Sequence, residues 1–128
     1  MAKKRILVVD DEPDMLGVIK GRLEKAGYAV EVARDGAEGL EKVSRRVPDA
    51  IVLDVMMPVM DGYRMCAELK EGEAHCDIPV VMLTAVGERV GSTRYSHYGG
   101  MEMAAEDFVP KGPGCLDDVL TSLSKLLS

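Results

Sequence analysis

Five polar residues directly follow short apolar runs of the sequence, where their side chains could do chemistry together. They are two adjacent carboxylates, a third carboxylate, a hydroxyl and an ammonium: Asp10, Asp11, Asp54, Thr84 and Lys111. Each is ordinary by itself, because acidic residues often begin a helix and a single threonine or lysine in a loop is usually solvated. The same pattern at four separate places in the chain predicts a shared site.

The chemistry of such a site follows from its charges. Three carboxylates brought together repel one another, which raises a pKa or recruits a cation. Mg²⁺ suits a shallow, partly hydrated site with two or three protein ligands. A bound Mg²⁺ and the Lys111 ammonium would shield Asp54 enough for a phosphoryl group to approach. Asp54 would then be the carboxylate nucleophile that forms an acyl phosphate.

Strands and helices alternate along the whole chain. Apolar runs predict strands over residues 5–9, 29–33, 50–53, 79–83 and 107–110. Helices are predicted between them, the first opening at Pro13 and closing at Gly27, the second introduced by a capping box of Asp35 and Glu38. The apolar faces of these two helices are predicted to include Ala26 and Ala37 respectively. Further helices are predicted over 62–70 and along 116–127.

This alternation predicts an α/β fold, a parallel sheet with helices on both faces. Right-handed crossovers put the carboxyl ends of all strands at one edge of the sheet. Ligands bind at that edge, near the point where the strand order reverses. The five polar residues are therefore expected to meet there.

The motifs together resemble those of response-regulator receiver domains, and the resemblance covers nearly the whole chain. The residues that carry it are Asp10-Asp11, Leu53-Asp54-Val55-Met56-Met57-Pro58 with Asp61-Gly62, Thr84-Ala85, and Asp107-Phe108-Val109-Pro110-Lys111. The resemblance implies a flavodoxin-like (βα)5 fold with strand order 2-1-3-4-5. It also implies that Asp54 is the phosphoacceptor. Mg²⁺ would be held by Asp11, by Asp10 directly or through water, by Asp54 and by the backbone carbonyl of Met56.

The resemblance assigns the remaining roles as well. Thr84 and Lys111 would hold phosphoryl oxygens, and Phe108 lies where the family has its aromatic switch residue. The phosphoryl donor would be a phosphohistidine on a sensor histidine kinase or a histidine phosphotransfer protein. Phosphorylation would change the face made by the fourth helix, fifth strand and fifth helix, which binds a downstream protein.

The sequence departs from the family's pattern after the lysine. The family usually has proline there, in a cis peptide, whereas Lys111 is followed by Gly112. A cis bond before a non-proline residue costs roughly 2.5–4 kcal/mol, so a trans Lys111–Gly112 bond is expected. Gly112 can compensate with backbone angles closed to other residues. Lys111 is expected to be used still, but to be less rigidly placed.

The segment between Thr84 and Lys111 is a second departure, because it is longer than usual and rich in glycine. A short, shifted or mobile fourth helix is expected within residues 86–103, serving either as an ordinary solvated loop or as a docking surface. Met56 and Val86 occupy the positions that flank the attacking water in the family. Neither can orient water by hydrogen bonding, so slow self-dephosphorylation is predicted.

Composition limits the remaining possibilities. With 128 residues, 47% of them hydrophobic, the chain is expected to form a single receiver domain over 1–128. A net charge of −6 argues against a nucleic-acid binder, which needs a dense basic patch. The apolar runs are too short to span a membrane or to form a signal peptide. Three cysteines without CxxC spacing indicate reduced thiols and a cytoplasmic protein.

The leading hypothesis is a single-domain response regulator that catalyses only its own phosphorylation and dephosphorylation. Because the chain stops soon after the last predicted helix, no attached effector is expected. One alternative is a phosphatase of the haloacid-dehalogenase type, which carries a second aspartate two residues after its nucleophile, where this chain has Met56. Another is a binding module that never receives phosphate, in which Gly112 misaligns Lys111.

Overall fold

The computed structural model describes residues 3–54, 62–72, 75–84 and 106–128. Five strands in these ranges form one parallel sheet: β1 (Arg5–Val9), β2 (Ala29–Ala33), β3 (Ala50–Asp54), β4 (Val80–Thr84) and β5 (Asp107–Pro110). Four helices are described: α1 (Pro13–Lys25), α2 (Gly36–Arg45), α3 (Gly62–Glu71) and the last helix, α4 (Cys115–Leu127). The predicted helix within 86–103 lies outside the described residues.

The strand order is β2-β1-β3-β4-β5, which confirms the prediction of a flavodoxin-like sheet. Strands β3 and β4 are buried along their whole length, and four of the five residues of β1 are buried too. Such continuous apolar runs are typical of parallel strands covered on both faces. Parallel pairing also brings the carboxyl ends of all five strands to one edge, which is called the rim below.

Two apolar cores lie on opposite faces of the sheet, because successive residues of a strand point to opposite sides. Leu7 and Val9 of β1 pack with α2 and α3, whereas Ile6 and Val8 pack with α1 and the last helix. The sheet is therefore the middle layer of a sandwich of helices. This placement fixes the strands, and with them the rim, from both sides.

The ends of the first two helices agree with the predictions, but one residue of each predicted apolar face is exposed. Asp35 Oδ1 accepts a hydrogen bond from the backbone N–H of Glu38 at 2.8 Å, which confirms the N-cap of α2. Ala37 is nevertheless exposed, because α2 turns Gly36, Gly39 and Val43 toward the core. Ala26 is exposed as well, since α1 ends at Lys25.

The two edge strands of the sheet are β2 and β5. On β2, the Lys42 ammonium donates to the backbone carbonyl of Val32, and Glu31 pairs with Arg5 at 3.3 Å. Strand β5 has only four residues and ends in Pro110, which has no N–H to donate. Charged side chains, short length and proline are common means of blocking an edge strand.

A half-buried ammonium connects the other end of the sheet. Lys70 Nζ donates to the backbone carbonyls of Cys76 at 3.1 Å and Ile78 at 2.8 Å, and to the Glu106 carboxylate at 3.0 Å. Glu106 Oε1 in turn accepts from the backbone N–H of Val80 at 2.7 Å. We call this set of contacts the Lys70–Glu106 clasp. It ties α3, the start of β4 and the start of β5 together.

Within the described part of the chain, no helix is both long enough and apolar enough to cross a bilayer.

Candidate functional site at the rim of the sheet

The pairing register of the strands brings three of the predicted site residues together. Val9 of β1 pairs with Leu53 of β3, so the next residues along, Asp10 and Asp54, are neighbours. Asp54 pairs with Leu83 of β4, which places Thr84 one residue farther along the rim. The register alone therefore brings side chains from the ends of β1, β3 and β4 close together at the rim.

Lys111 enters the site from β5 through a backbone contact. Thr84 pairs with Pro110, and the N–H of Lys111 continues the ladder by donating to the Thr84 carbonyl at 2.9 Å. The Lys111 ammonium then reaches Asp54 Oδ2 at 3.0 Å. Asp54 is only 2% exposed and Lys111 is 21% exposed. This contact is a short, largely desolvated ion pair between residues 57 positions apart.

The environment of the Lys111 ammonium raises its pKa above the ordinary value. Burial by itself lowers this pKa, but the hydrogen bond and charge of Asp54, followed by the charges of Asp10 and Glu12, outweigh that effect. Lys111 therefore stays protonated at neutral pH and supplies a fixed positive charge to the site.

Asp10 is fully buried beside this pair. Its N–H donates to the Ala33 carbonyl at 3.0 Å, and its Oδ1 accepts from the backbone N–H of Glu12, also at 3.0 Å. The other oxygen, Oδ2, is buried without a hydrogen-bond partner among the described residues. Burial, opposed by the Glu12 hydrogen bond and reinforced by the charge of Asp54, raises the pKa of Asp10 to about 6. A buried carboxylate oxygen without a hydrogen-bond partner is suited to binding a metal ion.

Thr84 has a comparable unsatisfied group. Its hydroxyl Oγ1 is buried and has no partner in the described ranges, although the residue ends a strand whose other members are apolar. Phe108 lies in the middle of β5, paired with Met82 of β4, and its ring packs partly buried against the core on that face. Phe108 is thus on the strand that delivers Lys111.

The backbone after Lys111 has the conformation expected of its glycine. The described residues include no cis peptide bond, which confirms the trans Lys111–Gly112 bond. Gly112 has φ of +151° and Gly114, the N-cap of the last helix, has φ of +82°. These angles are unfavourable for residues with a Cβ. Gly112 therefore takes the turn into the last helix while Lys111 remains in contact with Asp54.

Sequence reasoning missed one acidic residue of the site. The carboxylate oxygens that Asp10, Asp11 and Glu12 can offer all lie within 4.8 Å of one another, with Glu12 exposed. The signal that could have found Glu12 is the run of three consecutive acidic residues after β1. Met56, Val86 and the segment 86–103 lie outside the described residues.

The residues present fit a hard divalent cation. The cluster offers only carboxylate oxygen atoms, and Asp10 also has a buried Oδ2 without a hydrogen-bond partner among the described residues. Mg²⁺ prefers carboxylate and carbonyl oxygens and keeps several waters, which an acidic group open to solvent on one side allows. Asp10, Asp11, Asp54 and Glu12 are the described side chains that could hold it.

Comparisons with known proteins agree with the resemblance to receiver domains. The family model described as the response regulator receiver domain matches residues 6–117. The chain is 42% identical over 127 residues to the response regulator MprA of Mycobacterium leprae, covering 96% of this chain and 50% of that protein. It is 43% identical over 109 residues to the probable transcriptional regulator ycf27 of Cyanophora paradoxa, covering 85% of this chain and 42% of that protein. The chain thus spans half or less of the length of these relatives.

Solved structures share both the fold and part of the sequence. The response regulator TrrA of Thermotoga maritima, solved in complex with Mg²⁺ and BeF, superposes with a TM-score of 0.78 at 32% identity. That alignment covers 97% of this chain and 99% of TrrA.

Proposed function

The chain belongs to the response-regulator receiver family, and from this premise we propose that it accepts a phosphoryl group on Asp54 from a phosphohistidine donor in a Mg²⁺-dependent reaction. Phosphorylation on aspartate and Mg²⁺ binding at an acidic pocket are general to the family. The observation that carries the proposal for this chain is the 3.0 Å contact between the Lys111 ammonium and the buried Asp54 carboxylate, beside a buried Asp10 oxygen that lacks a partner.

The residues of the chain account for the transfer as follows. A carboxylate oxygen of Asp54 attacks phosphorus, the new O–P bond forms, and the P–N bond to the donor imidazole breaks. The electron pair of that bond stays on the imidazole nitrogen. Lys111 moves its charge from the Asp54 oxygen toward the phosphoryl oxygens, and the Thr84 hydroxyl donates its hydrogen to one of them. Bound Mg²⁺ would neutralise negative charge on the phosphoryl group and the carboxylates.

The donor in this proposal is a sensor histidine kinase or a histidine phosphotransfer protein. The output surface in this proposal includes β5 and the last helix, together with the fourth helix that the family's pattern leads us to expect, and its partner is a downstream protein. Phe108 and Thr84 on adjacent strands would couple the site to this face. The longer relatives include a protein named as a probable transcriptional regulator, so the same switch can also serve a chain that regulates transcription. We place the protein in the cytoplasm, where its three free cysteines would stay reduced.

Incubation with acetyl phosphate and Mg²⁺, followed by intact mass measurement, tests the proposal. We expect one phosphoryl adduct that hydroxylamine removes, no adduct in Asp54→Asn, and a normal adduct in Asp14→Asn, which changes an exposed carboxylate of α1. Continuous release of phosphate would instead indicate a phosphatase. Absence of an adduct with both acetyl phosphate and a phosphohistidine donor would indicate a passive binding module. Equal labelling of Asp54→Asn and the parent would also overturn the proposal.

A further inference from the structure

A pocket lies at the amino end of the sheet, the end opposite to the rim. It is open to solvent, has a volume of about 280 Å³, and is lined by residues of β1 and β2 and by the residue that follows α2. Small-molecule sites usually enclose roughly 300–1,000 Å³, so this pocket suits one or two side chains of a partner better than a whole ligand. We call it the amino-end pocket, and its lining residues are Arg5, Ala29, Val30, Glu31 and Arg46.

Arg5 is a fixed part of the pocket wall. Its backbone N–H donates to Asp49 Oδ2 at 2.7 Å. Its guanidinium donates to the Val47 carbonyl at 3.1 Å and to Glu31 Oε1 at 3.3 Å. The side chain is only 19% exposed, so these contacts hold its charge in one place.

Arg46 is the second cation of the pocket, and its side chain has no such contacts. Its backbone N–H donates to the Lys42 carbonyl at 3.0 Å, which fixes the point where the side chain begins. The side chain is exposed and makes no hydrogen bond or ion pair within the described ranges of the chain. The neighbouring Arg45, by contrast, pairs with Glu41 one turn earlier in α2. Arg46 therefore presents an uncompensated positive charge at the pocket.

The charge around the pocket has the opposite sign to that of the whole chain, which carries −6. Lys3 and Lys4 precede Arg5, and both are exposed and unpaired in the part of the chain that the structure describes. The Lys4 carbonyl accepts from the first N–H of β2 at 2.9 Å, which places this residue beside the pocket. Against these lysines and the two arginines stand only the carboxylates of Glu31 and Asp49. The amino-end pocket therefore attracts anions, although the protein is acidic overall.

An apolar side chain lies next to the cations. Val47 follows Arg46 and is 52% exposed, which only one other large apolar side chain of the described residues matches. Its carbonyl is bound by Arg5, and Pro48 after it is buried. The valine is thus held at the surface beside the pocket, where it offers an apolar contact to whatever binds the arginines.

These features favour a short acidic peptide segment over a large polyanion. The carboxylates of Glu31 and Asp49 interrupt the cations and would repel a lipid bilayer or a nucleic-acid backbone laid across them. Such surfaces also bind to denser runs of basic residues than this one. A single peptide carboxylate, in contrast, can lie against the two arginines while a neighbouring apolar side chain contacts Val47.

We propose that the amino-end pocket binds a short acidic segment of a partner protein, whose carboxylate pairs with Arg46 and whose apolar side chain contacts Val47. The bound carboxylate competes with Glu31 for Arg5. Because the pocket lies at the opposite end of the sheet from Asp54, the inference does not depend on the proposed phosphoryl transfer. A partner bound there leaves the rim open to a phosphoryl donor.

Fluorescence anisotropy of a labelled peptide of alternating glutamate and leucine, titrated with the full chain at low ionic strength, tests this proposal. We expect saturable binding that added salt weakens, and no binding of the peptide with glutamine in place of glutamate. Arg46→Gln should weaken binding about fivefold. The matched control is Arg45→Gln, which removes the same charge one residue away from an arginine that is already paired, and it should change the affinity less than about twofold.

A variant with the opposite sign separates binding from loss of structure. Glu31→Gln removes the carboxylate that competes for Arg5, so it should bind the peptide about twofold or more tightly than the parent. Amide chemical shifts should change on peptide binding at residues 3–5, 29–31 and 46–49.

Several results would overturn the inference. They are no binding of the peptide, equal losses in Arg46→Gln and Arg45→Gln, weaker binding by Glu31→Gln, or shift changes only outside the three ranges. Binding of phosphatidylserine vesicles or duplex DNA that depends on Arg46 and is as tight as binding of the peptide would also overturn it, because the pocket would then serve a polyanion.

Discussion

At the scale of single residues, carboxylates outnumber ammonium groups among the described residues of the site. Asp10 is buried, and its Oδ2 has no hydrogen-bond partner in the described part of the chain, although burial without a partner disfavours the ionised carboxylate. Only Lys111 opposes the carboxylates from within the described part of the site, and its short contact is with Asp54. A bound cation would reduce the repulsion among these carboxylates.

Removing the charge of Asp10 should stabilise the metal-free protein. With its pKa raised to about 6, mainly by burial, the ionised Asp10 disfavours the folded state at neutral pH. We expect Asp10→Asn to be about 1–2 kcal/mol more stable than the parent in urea unfolding at pH 7.5 with EDTA. Saturating Mg²⁺ should reduce or reverse the difference, since the variant lacks a ligand charge.

The pH dependence of the same measurement has a defined sign. Between the ordinary carboxyl pKa of 3.8 and about 6, folded Asp10 binds a proton more tightly than the unfolded chain. This residue therefore makes the metal-free parent more stable as the pH falls through that range, and the advantage of Asp10→Asn should shrink accordingly. An advantage that grew as the pH fell from 7 to 5 would contradict this assignment.

The sequence was sufficient to predict which strand ends would meet, because the side-chain types and the parallel order determine that. The register of four strands is enough to place four of the site residues at the rim: Asp10, Asp54, Thr84 and Lys111. Glu12 could not be found in this way, since its place depends on the turn that returns its N–H to Asp10. The conformation of Gly112 could not be predicted either. Its φ of +151° is one that glycine permits, but the presence of glycine does not determine it.

At the scale of elements, two helical glycines differ in burial and in the space around them. Gly17 in α1 is exposed, and an added Cβ there would meet nothing within 4 Å. Gly39 in α2 is buried, and a Cβ there would lie 2.7 Å from Met65 Cε and 3.1 Å from a methyl carbon of Val9. The absence of a side chain at position 39 lets α2 approach α3 and β1 closely.

Alanine substitution should separate these two glycines. Gly17→Ala should stabilise the protein by about 0.5–1 kcal/mol, because alanine is the better helix former and nothing is displaced. Gly39→Ala gains the same propensity but must push Met65 and Val9 aside, which typically costs about 1–3 kcal/mol. Chemical denaturation should therefore show Gly39→Ala less stable than Gly17→Ala by at least about 1 kcal/mol. Equal stabilities would mean that Met65 moves without cost.

These glycines also explain why helix faces were predicted less well than strands. Apolar periodicity placed Ala37 on the apolar face of α2, yet Gly36 and Gly39 are buried and Ala37 is exposed. Glycine has no side chain that contributes to a hydrophobic pattern. A helix face that is buried through close approach of the backbone therefore cannot be predicted from hydrophobic periodicity. The strands, whose apolar side chains are buried on both faces, were located to within a residue at their ends.

At the scale of the whole molecule, the Lys70–Glu106 clasp joins parts of the chain that are distant in sequence. Lys70 is 13% exposed and Glu106 is 34% exposed, and the clasp also satisfies two carbonyls and one N–H of the backbone. It lies at the opposite end of the sheet from the rim. Its contacts hold the start of β5, the strand that delivers Lys111 at its other end.

Breaking the clasp should therefore cost more than breaking a surface ion pair. Lys70→Met leaves the Cys76 and Ile78 carbonyls without this donor and the Glu106 carboxylate without its ion pair, and we expect a loss of about 1–3 kcal/mol in unfolding free energy. The matched control is Lys20→Met, which removes an exposed pair with Glu24 at 4.0 Å within α1 and should cost below about 0.5 kcal/mol. Similar losses in the two variants would show that the clasp adds nothing beyond a solvated ion pair.

The lysine that covers the β2 edge has a consequence for crowded conditions. A strand from a neighbouring molecule could pair with β2 only after displacing Lys42 from the Val32 carbonyl and accommodating the charge of Glu31. These side chains therefore disfavour aggregation by edge-to-edge pairing at β2. A signalling protein must remain monodisperse before its stimulus arrives, and the Lys42 contact at the β2 edge helps to keep it so.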